Sequence, residues 1–310
     1  MHTHKQLLRT LVTHIPHSIL DAIVRTRRNN AAFRRWSDNV ADQFRGRDVT
    51  IRAGLAKGLV FNSGHSNVGY TFARSALEPD TELGLLTVLQ PGMTFYDIGA
   101  NFGWLSIIAA RLVGAQGKVL SFEPLETNVQ IIEHNIRANN LGNMTVLPFA
   151  LGATDGPASF LLSLQPSWGM LAATGKQPAA PTGETTVAVK QLDTAIREYL
   201  LPSPHLIKID VEGAEVDVLT GAADVIASYR PLMFIELHDT NWTVMDVLQQ
   251  YGYSACLPGT SVSIIDAPGN VHVFAVPQER EDRMNLLRTF QDPTFPQCAR
   301  CHQIGTGADQ

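Results

Sequence analysis

Two groups of residues have types and spacings that could do chemistry. The first is the acidic, glycine-rich stretch Asp97-Ile-Gly99-Ala-Asn101-Phe-Gly103, with a further carboxylate, Glu123, one strand–helix unit later. The second is Asp210, Glu212, Glu236 and His238. In the second group an imidazole, which titrates near neutral pH, is combined with carboxylates, a pattern suited to taking a proton from a weak acid. Positions two apart on an extended strand share a face, so Glu236 and His238 point the same way, and so do Lys208 and Asp210. His238 is the first choice for a general base, with Asp210, Glu212 and Glu236 as its catalytic neighbours.

The glycine-rich stretch follows an apolar run and precedes a helical pattern, so it reads as strand, tight turn and helix around a nucleotide-type pocket. A dinucleotide site calls for Gly-x-Gly-x-x-Gly beneath a pyrophosphate, whereas the turn here is Asp-x-Gly-x-x-x-Gly. The leading carboxylate would repel a pyrophosphate and suits a cationic group, such as the ammonium end of S-adenosylmethionine. Glu123, ending the second strand in Val119-Leu-Ser-Phe-Glu-Pro124, can accept from ribose hydroxyls. Together they favour S-adenosylmethionine. A nicotinamide-dependent oxidoreductase and a catalytically silent nucleotide-binding module are the competing readings.

The elements that must position these residues alternate as βαβ units do. Strands are expected at 94–98, 118–122, 144–149, 205–210, 232–237, 253–257 and 271–276. Helices are expected at 82–89, 103–113, 126–140, 214–227 and 242–251. Residues 151 to 190 interrupt this rhythm with strand-like segments at 158–162 and 185–189 around a loop containing Trp168, an insert placed to contact substrate. The boundaries read as an N-terminal helical and β-rich extension over 1–75, a catalytic domain over 76–279 and a polar tail over 280–310. Short helices are expected within 5–36, and strand-like alternation from Val49 to Tyr70.

At 310 residues with 45% hydrophobic and 17% charged residues, the chain has ample material for a core. Its net charge of −5 is uneven: residues 1–52 carry ten Lys/Arg against four Asp/Glu, a net +6 that leaves −11 on the rest. No apolar run reaches the roughly 18 residues of a membrane-spanning helix and no signal-peptide pattern opens the chain, so a cytoplasmic location is expected. Three cysteines, Cys256, Cys298 and Cys301, are too few for a disulfide framework. Cys298-Ala-Arg-Cys301-His302 matches a haem-attachment pattern in form, but its polar surroundings offer no haem-sized apolar pocket.

Asp97-Ile-Gly-Ala-Asn-Phe-Gly103, Phe122-Glu-Pro124, Leu192-Asp193, Ile207-Lys-Ile-Asp-Val-Glu-Gly-Ala-Glu215 with Val218-Leu-Thr-Gly-Ala222, and Ile235-Glu-Leu-His238 resemble, in order and spacing, the FkbM family of S-adenosylmethionine-dependent methyltransferases. The resemblance covers about residues 93 to 258. It implies a class I methyltransferase fold, an α/β Rossmann-like architecture with a seven-stranded, mostly parallel sheet and helices on both faces. It also implies O-methylation of a small hydroxylated acceptor such as a sugar or a secondary-metabolite intermediate, with no nucleic acid as partner. Asp97, Gly99, Asn101 and Gly103 resemble the loop at the methionine end of the cofactor, Glu123 the ribose ligand and Ala150 the adenine-side position. Asp210, Glu212, Glu236 and His238 could also face a divalent cation, but their spacing forms no recognised metal signature and no metal is assigned.

Overall fold

The computed structural model describes residues 46–52, 54–64, 79–163, 169–178, 180–257, 264–267 and 269–280. The helices expected within 5–36, Tyr70, Trp168 and the Cys298–Cys301 tail lie outside them. The chain divides into two compact units, residues 1–79 with 296–310, and residues 80–295. Among the described residues of the first, the expected β-rich cap is one short antiparallel pair, β1 (Val49–Thr50) and β2 (Val60–Phe61).

In the second unit the alternation read from the sequence becomes strand and helix. Helix α1 (Pro79–Val88) leads to β3 (Thr94–Ile98), α2 (Trp104–Val113), β4 (Lys118–Phe122), α3 (Glu126–Ala138) and β5 (Met144–Leu147). Strand β5 stops two residues earlier than expected because Pro148 has no N–H for the ladder. The insert then forms its own sheet from β6 (Ala150–Leu151), β7 (Gly156–Ser163), β8 (Met170–Leu171) and β9 (Pro181–Lys190), in the order β6-β9-β7-β8. The α/β pattern resumes with α4 (Leu192–Tyr199), β10 (Leu206–Ile209), α5 (Glu215–Thr220), α6 (Ala223–Tyr229), β11 (Leu232–His238), α7 (Asn241–Gln250), β12 (Tyr253–Cys256) and β13 (Asn270–Pro277).

The central sheet has seven strands in the order β12-β13-β11-β10-β3-β4-β5. All its pairings are parallel except those of β13, which runs antiparallel to both β11 and β12. Every residue of β3 and of β10 is buried, as strands covered on both faces must be. One face packs Tyr96, Ile98, Ile207, Ile209, Met233 and Ile235 against apolar residues of α4, α5, α6 and α7. Helix α2 lies against β3, β4 and β5, and its Ser106 reaches Asp97, whose side chain points away from the Tyr96 and Ile98 face. This is the seven-stranded, mostly parallel α/β architecture that the resemblance implied.

Two differences from the sequence reading have local causes. The single helix expected over 214–227 is two, α5 and α6, parted at Gly221 and Ala222. A Cβ on Gly221 would stand 2.0 Å from the Gly152 carbonyl, so the break lets the chain press against the root of the insert. Helix α4 was not expected. Its Asp193 carboxylate accepts from the N–H groups of Asp224 (2.9 Å) and Val225 (3.0 Å), closing the start of α6.

Candidate active site

Chain order reverses between β3 and β10, and an open parallel sheet binds its ligands in the crevice at the carboxyl ends of such a pair. A cavity lies there, lined by Gly99 after β3, Glu123, Pro124 and Leu125 after β4, Ala150 and Leu151 of β6, and Asp210 and Val211 after β10. Phe160, Gly169 and Leu171 of the insert also line it. The insert therefore walls the same cavity as residues expected to bind cofactor. Of the residues expected to bind cofactor, Gly99, Glu123 and Ala150 line this cavity.

Asp97, Asn101 and Gly103 lie in or under the loop instead. Asp97 is only 1% exposed. It accepts from Ser106 Oγ at 2.5 Å and stands 3.4 Å from Lys208 Nζ, its register partner on β10. The cation it meets is thus the chain's own. Lys208 Nζ also donates to the Gly99 carbonyl at 3.0 Å and lies 3.2 Å from Asp210. Gly99 has φ of +76°, and a Cβ there would sit 1.8 Å from the Asp210 carbonyl, so only glycine fits between the two strand ends. Gly103, φ +79°, begins α2.

Glu123 is buried and accepts from the N–H groups of Asn101 (2.9 Å) and Leu125 (3.0 Å) and from Asn128 Nδ2 (3.2 Å). Burial pushes its carboxyl up, those three hydrogen bonds and Lys208 pull it down, and the net position is about 7. A carboxylate has about four lone-pair sites, so three protein donors leave room for about one ribose hydroxyl.

At the ends of β10 and β11 the second group comes together. Glu236 and His238 share a face as expected, with Oε1 and Nε2 3.8 Å apart. His238 Nε2 also lies 3.4 Å from Glu212 Oε2, and Glu236 Oε2 lies 2.9 Å from Nε2 of His272, its cross-strand partner on β13. Glu212 sits in the left-handed region at φ 52°, an uncommon backbone state for a residue with a side chain, which turns its carboxylate toward the imidazole. Burial pushes Glu212 up, His238 opposes it, and the nearby carboxylates add to the rise, to about 7. Asp210 is raised, first by burial. For Glu236 burial is outweighed by His272, His238 and Lys208, and the net direction is down.

The ordinary imidazole titrates near neutral pH, which made His238 the expected base. Here burial pushes it down, but the Glu215 hydrogen bond and the charges of Glu212, Glu215 and Asp210 prevail and lift it to about 9. Glu215 is the first residue of α5. Its carboxylate lies 2.9 Å from His238 Nδ1, a contact between the start of α5 and the end of β11.

One ligand-type atom each from Asp210, Glu236 and His238 lies within 4.8 Å of the others, a spacing a cation could span. Lys208 and the imidazole already bring positive charge to these carboxylates.

The Methyltransferase FkbM domain model matches residues 97–255, just over half of the chain. The chain belongs to the FkbM methyltransferase family. As an FkbM methyltransferase it uses S-adenosylmethionine, and its cavity fits that ligand: Glu123 has acceptor capacity to spare, and Asn101 Oδ1 is buried in the adjoining loop without a hydrogen-bond partner. The hexuronic acid methyltransferase AglP of Haloferax volcanii is 28% identical over 162 residues, 52% of this chain and 62% of that protein. Methyltransferase 1 of Beauveria bassiana is 27% identical over 182 residues, 52% of this chain and 72% of that one. The crystal structure of methyltransferase FkbM from Methylobacillus flagellatus superposes with a TM-score of 0.41 at 17% identity, over 67% of this chain and 54% of that one. The chain thus spans less than two thirds of the length of AglP and of that structure. Among the described residues no helix is long and apolar enough to cross a membrane.

Proposed function

We propose that this FkbM methyltransferase transfers methyl to a hydroxyl of a small sugar-type molecule, with Glu212 and His238 receiving the hydroxyl proton. The observation that carries this reading is that Asp210 belongs both to the cavity lined by Gly99 and Glu123 and to the cluster around His238, so cofactor and proton acceptor adjoin. When bound, S-adenosylmethionine supplies a methyl group on a positively charged sulfur that leaves as a neutral thioether. What the chain must add is alignment of the acceptor oxygen and a place for its proton.

In this reading Gly99, Asn101, Gly103, Glu123 and Ala150 hold the cofactor, with Asp97 and Lys208 fixing the loop from below. At neutral pH the imidazole of His238 is a cation and Glu212, near 7, is the half-ionised group; Glu212 takes the proton with the imidazolium as counter-charge. Above about 9 the Nε2 of His238 becomes a base in its own right. Asp210 and Glu236 complete the negative wall. Three carboxylates facing the acceptor favour a neutral hydroxyl over a carboxylate, which they would repel and which needs no base. A sugar-type acceptor is supported by the hexuronic acid methyltransferase relative, and by Trp242, 64% exposed, which with Asp239 and Thr240 lines a second hollow just beyond the end of β11.

The test is to supply S-adenosylmethionine carrying a ¹³C-methyl group together with a panel of glucuronic acid glycosides and neutral hexosides. Carbon NMR then separates a methyl ether from a methyl ester. Ether products, formed faster as pH rises through about 7, are expected because the ionised carboxylate is the reactive form. Methyl ester as the sole product would contradict the hydroxyl assignment.

A further inference from the structure

We infer that Glu215 is the positioning residue of the proton acceptor: its buried carboxylate fixes the tautomer and direction of His238 and ties together the loops that follow β10 and β11. Glu215 is 0% exposed. Its Oε1 accepts from the Gly213 N–H at 2.8 Å and from His238 Nδ1 at 2.9 Å, and its Oε2 accepts from Thr240 Oγ1 at 2.8 Å. A carboxylate has only acceptors to offer, so the proton between it and His238 belongs to Nδ1 and the lone pair of the neutral ring is at Nε2. Nε2 is the nitrogen beside Glu212 and Glu236.

Backbone turns on both sides produce this arrangement. Glu212 and Gly213, at φ 52° and 106°, turn the Gly213 N–H back onto Glu215. Asp239, at φ 58°, turns the chain after β11 so that Thr240 reaches the other oxygen. Three donors from three positions hold the carboxylate rigidly, and it in turn holds the imidazole. A side chain serving only the helix dipole needs none of these partners.

The charged groups around His238 come from every neighbouring element. Asp210 and Lys208 belong to the β10 end, Glu212 and Glu215 to the turn and helix after it, and Glu236 to β11 itself. His272 of β13 acts through Glu236, and Lys176 of the insert donates to the His238 carbonyl and stands 3.5 Å from Asp239. Of these, Glu215 is the one hydrogen-bonded to the ring.

The inference rests on the proton-acceptor reading above, so its test uses a signal from the ring itself. In the full-length protein the ¹³C–¹H correlations of the ring carbons are followed against pH, the His238 signal being the one missing from H238N. Wild type should titrate well above the ordinary 6.5, toward about 9. E215Q keeps the shape and removes the charge; it should bring the titration down by about one unit or more and lower kcat about tenfold or more, with S-adenosylhomocysteine affinity held within about twofold. T240V removes a donor that competes with the ring for Glu215 and should move the ring titration up. Opposite movements from two shape-conserving variants are not produced by general loosening, and T240V alone decides the matter if E215Q does not fold. A ring that titrates near 6.5 in wild type, or is unmoved by E215Q and T240V, overturns the inference. If the ring shifts as expected while turnover stays constant, the coupling stands and the part of His238 in the reaction falls.

Discussion

The two halves of the crevice treat buried charge in opposite ways. On the β3–β4 side, Glu123 is held by two backbone N–H groups and the Asn128 amide, and Asp97 by Ser106 and Lys208; every partner is a fixed donor. On the β10–β11 side, Glu212, Glu236, His238 and His272 face one another, and each is a group whose own proton can move. Fixed donors make a preformed cradle, which a binding site needs. Mutually facing titratable groups make a site whose charge follows the proton count, which a proton-transfer step needs. Lys208 stands at the seam, 3.4 Å from Asp97 and 3.2 Å from Asp210.

The largest effect is therefore expected at the seam. Lys208→Met leaves two carboxylates without their buried counter-ion, and loss of about 3–5 kcal/mol in urea unfolding is expected, with cofactor binding and turnover lost together. Destabilisation below about 1 kcal/mol would show that the two halves are not joined through this side chain.

A smaller effect sharpens the cofactor half. In the proposed reading Glu123 accepts from a ribose hydroxyl as a carboxylate, and it is poised near 7, so S-adenosylhomocysteine should bind more tightly as pH rises from about 6 to 8. Glu123→Gln should weaken binding about tenfold at pH 8 and remove the pH dependence, as calorimetry at several pH values would report. A pH-dependent affinity surviving in E123Q would assign the titration elsewhere.

Much of this is legible in the sequence. The run Asp97 to Gly103 marked the first turn because its glycines and its acidic lead are local features, and Glu123 followed from its place at the end of the next strand. The two-residue period put Glu236 and His238 on one face. What was hidden depends on register across strands or on packing from a distance. Whether Asp97 met a ligand or Lys208 was decided by the pairing of β3 with β10. The rise of the imidazole to about 9 came from Glu215 and Glu212, which lie on the helix and turn that follow another strand. Phe160 and Leu171 reach the cavity only because the insert forms its own sheet. Helix α4 did carry a readable signal, Leu192, Ala195, Ile196 and Tyr199 at helical spacing, masked by its shortness and its place after the insert.

In the proposed reading binding belongs to one half of the crevice and proton handling to the other. The direct measurement is His238→Asn, assayed for S-adenosylhomocysteine affinity by calorimetry and for ¹³C-methyl transfer to the best acceptor of the glycoside panel. The separation predicts affinity within about twofold of wild type and transfer slowed about a hundredfold or more. Loss of cofactor binding in step with transfer, or transfer at the wild-type rate, would contradict it.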